Sequence, residues 1–182
     1  MKLTDHLCNR NFDQSLYSGV IVDETSGTVT FPLWNLSGQM VGYQQYKPDA
    51  PKNQGLKPSE QKYFTYTGKV NDKAKLAAFG VERLNKSDKL CFVAEGVFDV
   101  APLHLLGVNA LGLLTSNPKH LKSWLHSLGY TLVALCEGDK AGKQLSKYAH
   151  HSEFLEEGCD PGDMPLEWFK SLVLKYNQLA NK

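Results

Sequence analysis

The sequence has no long hydrophobic run, no paired cysteines and no charge of one dominant sign, and each absence removes a class of protein. No stretch approaches the ~20 apolar residues that a membrane-spanning helix needs. The opening residues, MKLTDHLCNRNF, lack the apolar core of a secretory signal. A soluble, cytoplasmic protein with no membrane partner is therefore expected. The four cysteines, Cys8, Cys91, Cys136 and Cys159, never fall at C-x-x-C spacing, so no zinc ribbon is encoded. Cys91 and Cys136 lie in apolar runs and read as buried free thiols. The six histidines do not make up the deficit, because His150 and His151 are adjacent and would point apart on a helix. No G-x-x-x-x-G-K-[ST] loop occurs, and there is no internal repeat or low-complexity tract. Net charge is +1, so any affinity for nucleic acid has to come from a local patch.

What is present is a chain of 182 residues, 42% hydrophobic, which suits one core with a smaller lobe attached. Up to about Tyr66 it reads as β structure. Residues 28–33 and 40–46 are rich in β-branched and aromatic side chains, with Ser37-Gly38 between them as a hairpin turn. The segment KPDAPKNQGLKPSEQK follows, a loop made basic by Lys47, Lys52, Lys57 and Lys62. From residue 76 the texture alternates. Helical stretches at 76–84, 99–106, 118–128 and 140–150 separate the apolar runs LCFVA (90–94), 109–114 and YTLVAL (130–135). Gly107 and Gly129 close two of those helices, and Asn117 is the expected cap before Pro118. Continuous apolar strands between helices predict a mostly parallel sheet covered on both faces. A last amphipathic helix, 166–179, presents Trp168, Phe169, Leu172 and Leu174 to the core. Two units are expected: a small β-rich lobe, 1–86, and an α/β domain, 87–182.

In such sheets chemistry collects at the carboxyl ends of the strands. LCFVA ends in Glu95-Gly96, with Asp99 one helical turn later. YTLVALC ends in Glu137-Gly138-Asp139. Two neighbouring parallel strands would thus carry carboxylates to one edge of the sheet. Carboxylates are hard oxygen donors suited to Mg²⁺ or Mn²⁺, and Gly96 and Gly138 permit tight turns and a close approach of phosphate or metal. Taken singly, each acid reads equally as a helix cap or a solvated charge. The ordered pair, strand–Glu-Gly-x-x-Asp–helix and strand–acid-x-Asp-x-Ala-Gly–helix, is specific.

That pair resembles the Toprim domain of primases, topoisomerases and several nucleases, with Glu137 standing where aspartate is usual. The resemblance implies that Glu95 is the general acid or base, that Glu137 and Asp139 hold metal, and that Asp99 completes the catalytic acidic patch. VTFPLWNLSGQMVGYQQY is similar to the hairpin of bacterial-type primase cores, and Gln61-Lys62-Tyr63-Phe64 to their Lys-Tyr element. CDPGDMP is similar to their later Asp-Pro motif, which adds Asp160 and Asp163 as metal candidates. Lys47 stands near the place where that family often has arginine after the hairpin, and with Lys62 and Tyr63 it is implied to contact nucleotide or template. The family's zinc module has no counterpart in this sequence, which leaves a trimmed core of the kind a phage or other mobile element carries. The implied activity is a nucleotidyltransferase that makes short RNA primers on single-stranded DNA from nucleoside triphosphates, with Mg²⁺ or Mn²⁺ and a replicative helicase as partner. Two alternatives stay open, a metal-dependent nuclease and a catalytically impaired protein that binds nucleic acid or a replication partner. A topoisomerase is disfavoured, since it needs a nucleophilic tyrosine in a large further domain.

Overall fold

The computed structural model describes residues 2–52, 55–70, 73–115 and 117–180. Asn53 and Gln54 of the expected basic loop lie outside them, as do the terminal residues 1 and 181–182 of the two expected units.

The chain opens with a helix, α1 (Leu3–Asn9), where β structure was expected. Its buried Leu3 and Leu7 are too few to set up a visible period. Glu24 caps it from a distance, accepting the Leu3 and Thr4 amides at 2.9 and 3.2 Å. Four antiparallel strands follow in spatial order β1 (Ile21–Asp23), β2 (Thr28–Trp34), β3 (Met40–Tyr46) and β4 (Tyr63–Thr67). The β2–β3 hairpin turns where Ser37-Gly38 predicted, with Gly38 at φ 73. A small ribbon, β5 (Lys69–Val70) and β6 (Lys73–Ala74), leads out of this lobe.

The four strands of the second sheet pair in parallel, in the order β10-β9-β7-β8. Its chain order is β7 (Leu90–Ala94), α2 (Val97–Leu105), β8 (Ala110–Gly112), α3 (Lys122–Ser127), β9 (Thr131–Cys136), α4 (Lys140–Leu145), β10 (His151–Phe154) and the terminal α5 (Leu166–Ala180). The fold is thus α/β, a parallel sheet flanked by helices and preceded by an antiparallel β lobe, as the sequence predicted. No helix among the described residues is long and apolar enough to cross a membrane.

Four expected details give way to tertiary pairing. Residues 76–84 are not helical: Phe79 pairs antiparallel with Gly112 through both of its backbone groups, and Gly80 at φ 91 admits only a single 3₁₀ turn, Val81–Arg83. The expected helix 140–150 stops at Leu145, because His151–Phe154 is drawn out along the free edge of β9. Asn117 does not cap a helix. Its side-chain oxygen accepts the Tyr148 hydroxyl at 2.7 Å, and a 3₁₀ turn, Lys119–Leu121, precedes α3. In α5, Leu174 is 65% exposed, and Tyr176 joins Phe169 and Leu172 in the core instead.

The parallel strands are buried on both faces, which is why they read as unbroken apolar runs. Leu90, Phe92, Ala94, Val133 and Leu135 face one cluster, and Cys91, Val93, Leu132, Ala134 and Cys136 face the other. The first cluster continues into the antiparallel lobe through an aromatic knot. Phe98, in the first turn of α2, lies 5.9 Å from Phe31, 6.2 Å from Phe12 and 4.9 Å from Tyr46, centroid to centroid. A buried polar link reinforces this junction: His104 Nε2–H donates to the Ala110 carbonyl, leaving Nδ1 to accept the Tyr17 hydroxyl, both at 2.8 Å. Burial pushes His104 down to about 4, so it stays neutral there.

Phe31 is fully buried at the centre of the knot. Phe31→Ala is expected to cost about 3–5 kcal/mol, measured by urea unfolding. Leu174→Ala, at the exposed position, is expected to stay within about 0.5 kcal/mol of the parent.

Candidate active site

β7 and β9 are hydrogen-bonded neighbours with Phe92 opposite Val133 and Val93 opposite Ala134, so Glu95 and Glu137 leave the sheet side by side. They open into a cleft of about 430 Å³ between the parallel sheet and the antiparallel lobe. Its acidic wall is Glu95, Asp99, Glu137 and Asp160. From the antiparallel lobe Lys52, Lys62 and Tyr63 also line it, and Arg10 lines it from beside the acids, next to Gly162 and Asp163. Six of the nine site residues expected from sequence therefore meet in one cleft. The other three stand differently. Asp139 sits at its rim, exposed, with Oδ1 accepting the Gly142 amide at 2.9 Å to cap α4. Asp163 is turned outward, its side chain 70% exposed and 3.5 Å from Arg10. Lys47 anchors the basic loop, donating to the Ser59 carbonyl at 2.6 Å.

The carboxylates raise one another's proton affinity. Glu95 is lifted to about 7, first by burial and then by the charges of Glu137, Asp139 and Asp160. Glu137 is raised by burial and by Asp160 and Asp139, with Lys52 opposing. Asp99 is buried, and that burial together with Asp160 beside it pushes its carboxyl well above the usual range. Its Oδ2 also accepts the Gly96 amide at 2.7 Å, which pins the turn that aims Glu95. Gly162 makes the crowding possible. A methyl group there would lie 2.6 Å from Arg10 Nη2, 3.1 Å from Asp99 Oδ1 and 3.2 Å from Asp160 Oδ1.

Two features of the site escaped the sequence. Arg10 lies over the Phe98 ring, 4.6 Å from its centroid, inside the cleft. No spacing ties it to the acidic motifs, and its one signal is rarity: arginine occurs only at Arg10 and Arg83. Leu114 lines the cleft in the left-handed region at φ 59, its amide donating to the Glu95 carbonyl at 2.7 Å. Such a conformation is uncommon for a non-glycine residue and no sequence rule marks it.

Glu95 Oε1 is buried and has no hydrogen-bond partner, so the site holds a carboxylate oxygen available for a cation or a proton. Among the described residues no three Asp, Glu, His or Cys side chains converge as a ready-made ligand set.

No protein-family model matches the sequence, and comparison with curated proteins finds no match. The fold is that of solved primase catalytic cores. A DnaG catalytic core superposes with TM-score 0.65 at 17% identity over 95% of this chain and 72% of its own. The zinc-binding and RNA polymerase domains of Aquifex aeolicus primase give 0.61 at 20% identity, over 95% of this chain and 46% of theirs. A DnaG primase catalytic domain bound to single-stranded DNA gives 0.57 at 16% identity, over 92% and 58%. The chain thus spans between about half and three quarters of the length of these structures.

In the unfolded chain Glu95 ionises near 4.5 and in the folded protein near 7, so the native state holds the extra proton between those values. Stability falls as pH rises through that window. In metal-free buffer Glu95→Gln is expected to be more stable than the parent at pH 8, by about 1 kcal/mol once solvent screening of this half-buried group is allowed for, with the difference vanishing near the ordinary carboxylate pKa. Thermal melts across pH measure this.

Proposed function

We propose that this cleft is the active centre of a primase-type nucleotidyltransferase, which copies single-stranded DNA into short RNA primers. The observation that carries the reading is the meeting of Glu95 and Glu137 from adjacent parallel strands in one cleft that Lys52, Lys62 and Arg10 also line. Basic residues in the cleft serve a nuclease's phosphodiester as well as a triphosphate and template; what favours the primase reading is that the fold over 95% of the chain is like that of a primase catalytic core. The residues 1–86 then serve as the lobe that handles template and nucleotide, and 87–182 as the Toprim unit. Single-stranded DNA, nucleoside triphosphates and a replicative helicase are the partners this reading calls for, in the cytoplasm.

Glu137 and, through the oxygen that Gly142 does not take, Asp139 would hold Mg²⁺ or Mn²⁺, with Asp160 as a further donor; Asp163, turned outward beside Arg10, would have to swing inward to join them. When bound, the metal supplies positive charge for the entering and leaving oxygens of an in-line displacement. Glu95 Oε1, unpartnered and close to neutral proton affinity, receives the proton of the attacking 3′-hydroxyl. Lys62, Lys52 and Arg10 hold the phosphates, and Asp99 keeps the Gly96 turn closed so that Glu95 faces them. Tyr63 stacks on Tyr46, centroids 5.0 Å apart, and presents a rigid edge to the nucleotide.

The test is synthesis of oligoribonucleotides on single-stranded DNA with nucleoside triphosphates and Mg²⁺ or Mn²⁺. Product is expected from the parent and is expected to fall by about 10²-fold or more in Glu95→Gln and in Asp139→Asn. Shortening of an end-labelled template in place of product would assign the site to a nuclease. Template binding without turnover, unchanged in Asp139→Asn, would assign it to a binding protein.

A further inference from the structure

The outer face of the antiparallel sheet carries aromatic side chains that the cleft does not use. Along β3 and β4, residues alternate between faces. Gln44, Tyr46, Tyr63 and Thr65 look toward the core and cleft, while Tyr43, Phe64 and Tyr66 look away. Tyr43 lies 5.5 Å from Tyr66 at 30° and 6.3 Å from Phe64 at 61°. None of the three belongs to either core cluster or packs against one; Tyr66 is 52% exposed and Tyr43 and Phe64 are half-buried. A connected patch of rings on an open sheet face is a surface on which bases stack.

Charge says what covers it. Residues 40–75 hold seven lysines against three acids, in a chain whose net charge is +1. The basic excess brackets the rings, with Lys62 immediately before β4 and Lys69 shortly after it. The acids of this sheet, Asp23 and Glu24, sit at its far edge, engaged with Ser26 and with the start of α1. β4 is also the edge strand, and its first residues, Lys62 and Tyr63, line the cleft. An anionic strand leaving the cleft at Lys62 therefore crosses the β4 edge directly onto Phe64 and Tyr66.

We propose that Tyr43, Phe64 and Tyr66 form a second binding surface for single-stranded nucleic acid, which holds the strand outside the cleft by base stacking. The surface serves the strand that the cleft is proposed to receive, and to that extent rests on the reading above. Its recognition is independent of sequence, because every base offers a π face.

Fluorescence anisotropy with labelled oligothymidylates of two lengths tests it, one short enough to fill only the cleft and one several-fold longer. Tyr66→Ser and Tyr43→Ser are each expected to weaken the longer oligonucleotide about tenfold and to leave the shorter one unchanged. Tyr66→Phe, which keeps the ring, is expected to retain parent affinity. Photocrosslinking of an iodouridine-substituted oligonucleotide to the parent protein, which needs no variant to fold, is expected to mark Phe64 or Tyr66 when the attachment is mapped to single residues. Unchanged affinity of the longer oligonucleotide in both serine variants, or crosslinks confined to cleft residues, would overturn the proposal. So would variants that alter only self-association in sedimentation, which would mark the face as a protein contact. Ring-dependent binding without primer synthesis sinks the catalytic reading and keeps this surface. Primer synthesis with ring-independent binding does the reverse.

Discussion

Parallel pairing of β7 with β9 is the constraint from which the site follows. Parallel neighbours end at the same edge of a sheet, so whatever each strand carries at its carboxyl end is brought together. Here both carry glutamate, and two carboxylates in a half-buried place oppose one another's ionisation. The sheet cannot relieve this by a register slip. Leu90, Phe92 and Ala94 belong to one core and Cys91 and Val93 to the other, so a shift of one residue would exchange the two sets. The hydrophobic pattern therefore fixes an electrostatic cost at the strand ends. That cost is the usual mark of a place built to meet a cation or to move a proton.

The opposite wall is held by a different force. The antiparallel lobe meets the parallel sheet through rings, Phe12, Phe31 and Tyr46 around Phe98, with Phe79 against Phe12 and Phe31. Phe98 is three residues beyond Glu95, on the turn that Asp99 closes. The same turn thus aims the carboxylate and anchors the lobe that carries Lys62 and Tyr63. Arg10 joins both functions, with its guanidinium over Phe98 and within 3.5 Å of Asp163. Aromatic packing here sets the width of the cleft, because it fixes where the basic wall stands relative to the acidic one.

The sequence made the parallel sheet legible because its strands are buried on both faces and so appear as plain apolar runs, and β7 and β9 lie within a residue of where those runs stand. The acids at the strand ends were legible for the same reason, since the strand places its own terminus. Elements fixed by a partner distant in sequence were not. Residues 76–84 have helical composition, yet Phe79 is claimed by Gly112, and β10 exists only because β9 offers a free edge. α1 is too short to show a period. Arg10 and Leu114 belong to the cleft through packing alone: one arrives from the far end of the chain and the other adopts a backbone conformation its side chain disfavours.

Glu137 gains a physical reason from its neighbours. Asp139 spends an oxygen on the Gly142 amide to hold the start of α4, and α4 lies tight on the strand end because Gly142 has no side chain to fend off the Glu137 backbone. An acid committed to a helix cap is fixed in direction and stays at the rim. The acid two residues earlier must therefore reach into the cleft, and a glutamate spans more of that distance than an aspartate would. Glu137 does line the cleft, where Asp139 does not. The longer side chain at this position is thus matched to an arrangement in which Asp139 spends one oxygen on the helix and keeps the other at the rim, while Glu137 enters the site.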